Sequence, residues 1–232
     1  MRDTPDALML FAAGLGTRMR PLTDARPKPL IEVAGRTLID HALEQARGVP
    51  LARIVANAHY RSGQLAAHLE GRPGVALSRE DDLLRDTGGG LRHALPLLGE
   101  GPVFAMNTDA VWTGPGALAQ LAEAWDPAQM DALLLLVPRA AARSHAGAGD
   151  FTMDAAGRLR RGPGHVYTGA QILRTERLAA MSEPVFSLNA VWDAMAAVGR
   201  LFGALHCGLW CDVGRPESIA VAEAMLAEAG NA

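Results

Sequence analysis

Two rhythms of hydrophobic and polar positions alternate along the chain. ALMLFAA, RIVANA, VALS, VFAMNTD and DALLLLVP are short apolar runs of strand length, whereas TLIDHALEQAR, GQLAAHLE, GGLRHALPLL and GALAQLAEAW repeat their apolar residues at helical spacing. Strand and helix taking turns in this way predict βαβ units. The fold class is therefore α/β, a Rossmann-like, mostly parallel sheet with helices on both faces, built through right-handed crossovers. After Pro138 the rhythm breaks into RAAARSHAGAGD and then FTMDAAGRLRR, which reads as a hairpin turning near Asp154 to Gly157. Helical period returns from Pro184 to Val198 and from Arg215 to Ala229. Repeats, low-complexity tails and long linkers are absent, so residues 1–232 read as one domain whose second half folds back over one end of the sheet.

Composition narrows the partners more than the fold. The chain has 232 residues, 49% of them hydrophobic, enough for one substantial core. A net charge of -3 with both signs mixed along the chain leaves no footprint for nucleic acid or an anionic membrane, and points to a small-molecule partner. The apolar run Ala7 to Ala13 follows Asp3 and Asp6 instead of a basic segment, which suits a buried strand better than a signal peptide. No apolar run approaches the ~20 residues that span a bilayer. Cys207 and Cys211, if on one strand, lie roughly 13 Å apart, beyond disulfide reach. Two reduced thiols in a soluble, cytoplasmic protein is the reading that follows.

The turn after the first strand carries the candidate chemistry, because open α/β sheets bind ligands beyond the carboxyl ends of their strands. That turn is AAGLGTRMRPLT. Gly14 and Gly16 permit tight backbone geometry and close approach to an anion. Met19 stands where a dinucleotide fingerprint needs its third glycine, and no lysine follows Gly16 as a P-loop requires. Instead Thr17 offers a hydroxyl and Arg18 a planar fork of donors suited to phosphate oxygens. Pro27 and Pro29 hold Lys28 extended as a presented charge. Taken singly, each cation also reads as part of a solvated loop; clustered behind a Gly-x-Gly turn, they read as a phosphate site.

Gly14-x-Gly16-Thr17-Arg18-x-x-Pro21-Leu22-Thr23 followed by Pro27-Lys28-Pro29 is similar to the signature of the sugar-1-phosphate nucleotidylyltransferases. DTGGGL from Asp86, NTDAVW from Asn107, GAGDF from Gly147, YTGAQIL from Tyr167 and GLWCDVGRPESI from Gly208 extend the resemblance over nearly the whole chain. Their order and the short chain look most like the N-acetylmuramate 1-phosphate uridylyltransferases of bacterial cell-wall recycling. The resemblance implies a nucleotide-diphospho-sugar transferase fold and transfer of a nucleotidyl group, from UTP in the favoured case, to a sugar 1-phosphate with release of pyrophosphate. Glucose or mannose 1-phosphate, phosphocholine, or a non-catalytic nucleotide-sugar sensor are the competing expectations.

Roles follow from the resemblance residue by residue. Arg18, Lys28 and Asp109 form the catalytic set. Ala12, Ala13, Gly14, Leu15, Gly16, Thr17, Gly88 and Gly89 bind the nucleotide, the glycine run closing around base and ribose where only main chain fits. Asp150, Thr168, Gly169 and Asn189 face the sugar. Asp109 and Asp212 hold Mg²⁺, an ion that prefers oxygen ligands and keeps several waters. Without the resemblance, an aspartate after a strand is a turn or cap residue, a glycine run is a flexible turn, and the histidines are surface or helix-face residues. Three positions depart from the family: Thr108 replaces glycine and is expected to narrow the metal site, Asp86 replaces glutamate, and Ala148 replaces an arginine of the muramate group. The last predicts a sugar pocket without a cation for the lactyl carboxylate.

Overall fold

The computed structural model describes residues 3–230. Its first strand, β1 (Ala7–Phe11), leads through the glycine loop to a small hairpin of β2 (Glu32–Val33) and β3 (Arg36–Thr37). The Thr37 hydroxyl accepts from the Asp40 amide at 3.4 Å and caps α1 (Leu38–Glu44), satisfying a donor that a helix start leaves open. Next come β4 (Arg53–Ala58), α2 (Ser62–Leu69), β5 (Val75–Arg79), α3 (Asp86–Leu98) and β6 (Val103–Asn107), in the expected alternation. They are followed by β7 (Ala110–Trp112), α4 (Ala117–Ala124), β8 (Ala132–Val137) and β9 (Ala142–Arg143). A hairpin of β10 (Phe151–Met153) and β11 (Leu159–Arg161) turns at Asp154, whose carbonyl accepts from the Gly157 amide at 3.0 Å. The chain closes with β12 (Val166–Leu173), α5 (Glu176–Ala179), α6 (Leu188–Ala197), β13 (Leu201–Leu205), β14 (Trp210–Asp212) and α7 (Ser218–Gly230).

Seven strands form the main sheet in the order β13-β8-β12-β6-β1-β4-β5. Only β12 runs against its neighbours, pairing antiparallel with both β6 and β8. The second half therefore does more than cover one end, because β8, β12 and β13 extend the sheet itself. What allows this is an apolar content high enough to be buried on both faces: all six residues of ALLLLV in β8 are buried. In β1, Leu8 and Leu10 face one side while Ala7 and Met9 face the other, as the two-residue repeat of a strand requires.

Helices cover both faces. Ile39, Leu65 and Leu118, from α1, α2 and α4, pack with Leu8, Phe104 and Leu135. On the opposite face Leu91 of α3 and Val191 of α6 pack with Met9, Ala105 and Leu134. A third, smaller cluster lies outside the main layers: Met19 of the glycine loop, Val111 of β7, Cys211 of β14 and Met225 of α7. This cluster fastens the glycine loop and the β7–β14 pair to the terminal helix.

Leu134 is fully buried between the sheet and the layer of α3 and α6. Leu134→Ala is expected to lower unfolding free energy by about 2–5 kcal/mol, read from the denaturant midpoint at constant slope. A much smaller loss would mean that this layer collapses readily into the vacated space.

Candidate active site

The carboxyl ends of β1, β4 and β6 converge where the strand order reverses, since chain succession runs from β1 to β4 on one side and returns to β6 on the other. Such a switch point opens a crevice, and here it holds a cavity of about 500 Å³. Ala12, Ala13 and Gly14 line one side of it and Leu84, Thr87 and Val185 another. The alanines owe their position to Asn57 at the end of β4. Its side-chain oxygen accepts from the amides of Ala12 and Ala13, at 2.7 and 3.2 Å. Its Nδ2 donates to Glu80 at 2.7 Å, and the other Glu80 oxygen accepts from the Arg85 amide at 2.9 Å. Asn57 and Glu80 are both buried and both line the cavity. The sequence reading assigned neither; the signal was an isolated amide at the end of the apolar run RIVANA.

The glycine run packs against protein. Gly88 and Gly89 lie in the first turn of α3 and do not line the cavity. A Cβ on Gly88 would stand 2.4 Å from the Phe186 ring, and one on Gly89 2.4 Å from the Pro184 carbonyl oxygen. Gly90 is held as tightly, with Glu80 Oε1 and Asn57 Nδ2 at 2.7 and 2.8 Å from the same imagined atom. The amides of Gly88 and Gly89 donate to the Phe186 carbonyl at 2.9 and 3.0 Å, so they are committed to protein. These glycines bring α3 up against the cleft wall; the residues beside the ligand space are Asp86 and Thr87.

Gly14, Leu15, Gly16, Thr17 and Arg18 line a second cavity adjoining the first, and Gly14, Lys28, Leu84 and Asp109 border both. Gly16 has φ of +63°, and a Cβ there would meet Thr23 at 2.9 Å and the Cβ of Lys28 at 3.0 Å. Glycine is thus required by both conformation and packing. Lys28 opens a short 3-10 turn (Lys28–Leu30) and is not extended as the flanking prolines suggested. Its ammonium donates to Asp109 Oδ2 at 2.8 Å. Asp212 reaches the same place because β14 pairs antiparallel with β7, setting Asp212 opposite Ala110, with the Val213 amide donating to the Asp109 carbonyl at 2.8 Å. Burial pushes the Asp212 carboxyl pKa up and the Asp109 charge adds to it, while Lys28, Arg18 and His145 pull it down. Thr108 turns its hydroxyl to the Phe11 carbonyl at 2.7 Å.

A third cavity of about 340 Å³ shares Phe11, Asp86, Thr87 and Asn107 with the first. Asp150 and Asn189 line it, as expected. Thr168 and Gly169 do not. They form a bulge in β12, between the pairs Tyr167↔Leu136 and Gln171↔Leu134. The Thr168 hydroxyl donates to the Leu135 carbonyl at 2.8 Å and the Thr168 carbonyl accepts from the Trp210 indole at 2.9 Å. Gly169 has φ +88°, and a Cβ there would stand 2.9 Å from the Cβ of Asn107. The pocket also contains a cation: Arg161, at the end of β11, lines it. Ala148, from which a pocket without a cation was expected, does not line this cavity; it is exposed and its carbonyl accepts from the Gly164 amide.

Residues 8–206 match the model of the MobA-like NTP transferase domain. An N-acetylmuramate alpha-1-phosphate uridylyltransferase of Caulobacter vibrioides is 42% identical, covering 99% of this chain and 100% of that protein. One from Neisseria meningitidis serogroup B is 34% identical over 89% of this chain and 92% of its own. Among solved structures, the inositol-1-phosphate CTP transferase from T. maritima superposes with a TM-score of 0.77 at 15% identity, covering 96% of each chain, a likeness of fold.

Two outcomes follow from this geometry. Asn57→Leu removes the acceptor of the Ala12 and Ala13 amides, at a cost of about 1–3 kcal/mol for each buried group left unsatisfied; thermal melting is the measurement, and an unchanged Tm would mean that the loop is held by other contacts. Asp212→Asn is expected to raise Tm at neutral pH in chelator. The raised carboxyl pKa means that ionised Asp212 destabilises the fold above that pKa, so a neutral amide relieves it. A lower Tm would show that the charge is instead held favourably.

Proposed function

The chain belongs to the MobA-like NTP transferase domain family, and from this we propose that it transfers the uridylyl group of UTP to N-acetylmuramate α-1-phosphate, releasing pyrophosphate. The observation that carries the reading is the contact of Lys28 with Asp109 at 2.8 Å, on the border of the nucleoside-sized and phosphate-loop cavities, with Asp212 alongside. The reaction needs one locus where phosphate groups of two substrates meet amid cationic and carboxylate groups, and this border supplies it. The sugar 1-phosphate is already ionised, so its oxygen attacks the α-phosphorus without a general base, and the bond to the departing pyrophosphate breaks. Catalysis is positioning and charge stabilisation.

Ala12, Ala13 and Gly14 border the nucleoside; the backbone from Gly14 to Gly16, with Thr17, cradles the triphosphate. Arg18 offers its guanidinium to phosphate oxygens, and Lys28 lies between the attacking and attacked phosphates. Asp109 and Asp212 would hold Mg²⁺. The donor set fits that ion: two carboxylates brought together, one still short of counter-charge, with Gly214 leaving Asp212 uncovered because a Cβ there would stand 3.0 Å from its oxygen. Magnesium keeps several waters and binds substrate phosphates, so two carboxylates would suffice for it. When bound, the metal would neutralise phosphate charge as a Lewis acid. The reading makes residues 1–232 a single transferase unit of cell-wall recycling in the cytoplasm; no described helix is long and apolar enough to cross a membrane.

Pyrophosphate release across a panel of triphosphates and sugar 1-phosphates tests the reading, with UTP and N-acetylmuramate 1-phosphate expected to give the highest kcat/KM in Mg²⁺ and chelator to abolish turnover. Preference for another pair would reassign the substrates, and undiminished turnover in chelator would remove the metal. Lys28→Ala is expected to lower kcat by roughly 10²–10³, the scale of one lost charge-stabilising donor. Since it leaves two carboxylates without their ammonium, its Tm in chelator should fall slightly and recover with Mg²⁺. A large melting loss with unchanged kcat would make Lys28 structural.

A further inference from the structure

The third cavity holds two unsatisfied donors of different kinds. Gln171 is 1% exposed, and its Oε1 accepts from the Trp192 indole N–H at 2.8 Å, which fixes which end of the amide is nitrogen. Its Nε2 has no partner among the described residues. A buried donor left in that condition is costly, and in a residue lining a cavity it marks where a ligand brings an acceptor. Arg161 is the only cation among the lining residues. Its Nε donates to Asp193 at 2.9 Å and its Nη2 to the Asn189 side-chain oxygen at 2.7 Å. The guanidinium carbon lies 4.8 Å from the Phe151 ring centre and 5.5 Å from that of Trp192. Two hydrogen-bonding partners and two ring faces hold the group in place, while Nη1 carries no hydrogen bond among the described residues. Asp193 does not cancel it: that carboxylate is 59% exposed, and solvent-facing ion pairs are weak.

Resting on the uridylyltransferase reading, we propose that Arg161 and Gln171 form the subsite that selects an acidic acceptor. Arg161 takes the carboxylate of an ether-linked acid on the sugar, and Gln171 Nε2 donates to a neutral oxygen of the same ligand. Asp150 and Asp86, which line the same cavity, suit the sugar hydroxyls and turn an anionic group toward the single cation. A guanidinium fastened along one edge loses little freedom when it binds a carboxylate, so its attraction goes into selectivity.

The test compares kcat/KM, with UTP, for N-acetylmuramate 1-phosphate and for N-acetylglucosamine 1-phosphate, the same sugar without the carboxylate. The wild type is expected to favour the muramate compound. In Arg161→Gln the ratio should fall roughly 10- to 150-fold, the range for one charge-assisted hydrogen bond, with KM for UTP unmoved. Arg161→Lys, which keeps the charge and a long side chain, should retain part of the ratio and serves alone if the glutamine variant does not fold. A ratio unchanged in both variants, or an equal fall for both sugars, overturns the subsite while leaving the transferase intact. Wild-type protein that turns over neither sugar with UTP overturns the functional reading, and the subsite with it.

Discussion

Everything at the phosphate end of the cleft depends on holding two carboxylates close together, an arrangement that opposes folding on its own. Asp109 follows β6 of the main sheet, whereas Asp212 ends β14, more than a hundred residues later. Three backbone pairs between β7 and β14 bring them together, and the cluster of Met19, Val111, Cys211, Val213 and Met225 buries the far side of that ribbon. The repulsion is offset in part by the Lys28 ammonium, and Lys28 in turn is set by the turn that Gly16 and Thr23 close. Loop, ribbon and terminal helix are thus parts of one device that keeps like charges adjacent, with Asp212 short of counter-charge. That condition suits a site meant to receive a cation.

How much of this the sequence disclosed follows from what each residue answers to. β1 and β8 were legible because burial on both faces leaves a plain apolar run, and α1 to α4 because one apolar stripe per helix leaves a plain period. Lys28, Asp109 and Asp212 were reached through motif resemblance; nothing in their spacing announces that β7 and β14 pair. Asn57 escaped notice because one amide in a strand looks like any polar interruption, and its three bonds involve the chain at positions 12, 13 and 80.

The glycines share a feature. A small residue shows that something comes close, without saying what. At Gly88, Gly89 and Gly90 the neighbours are Phe186, Pro184 and the Asn57–Glu80 pair, and at Gly169 the neighbour is Asn107. In each case protein fills the space that the motif suggested for ligand. Arg161 is the converse: a charge in LRR beside a turn reads as solvated, yet the hairpin lays it across two aromatic rings at the mouth of a cavity.

The starts of α3 and α6 cap each other. The Thr87 hydroxyl accepts from the Leu188 amide at 3.0 Å, while the Phe186 carbonyl accepts from the amides of Gly88 and Gly89. Thr87 also borders both the first and the third cavity. The wall between these two cavities is therefore cross-braced, and its ordering entropy is spent when the chain folds, before any ligand arrives.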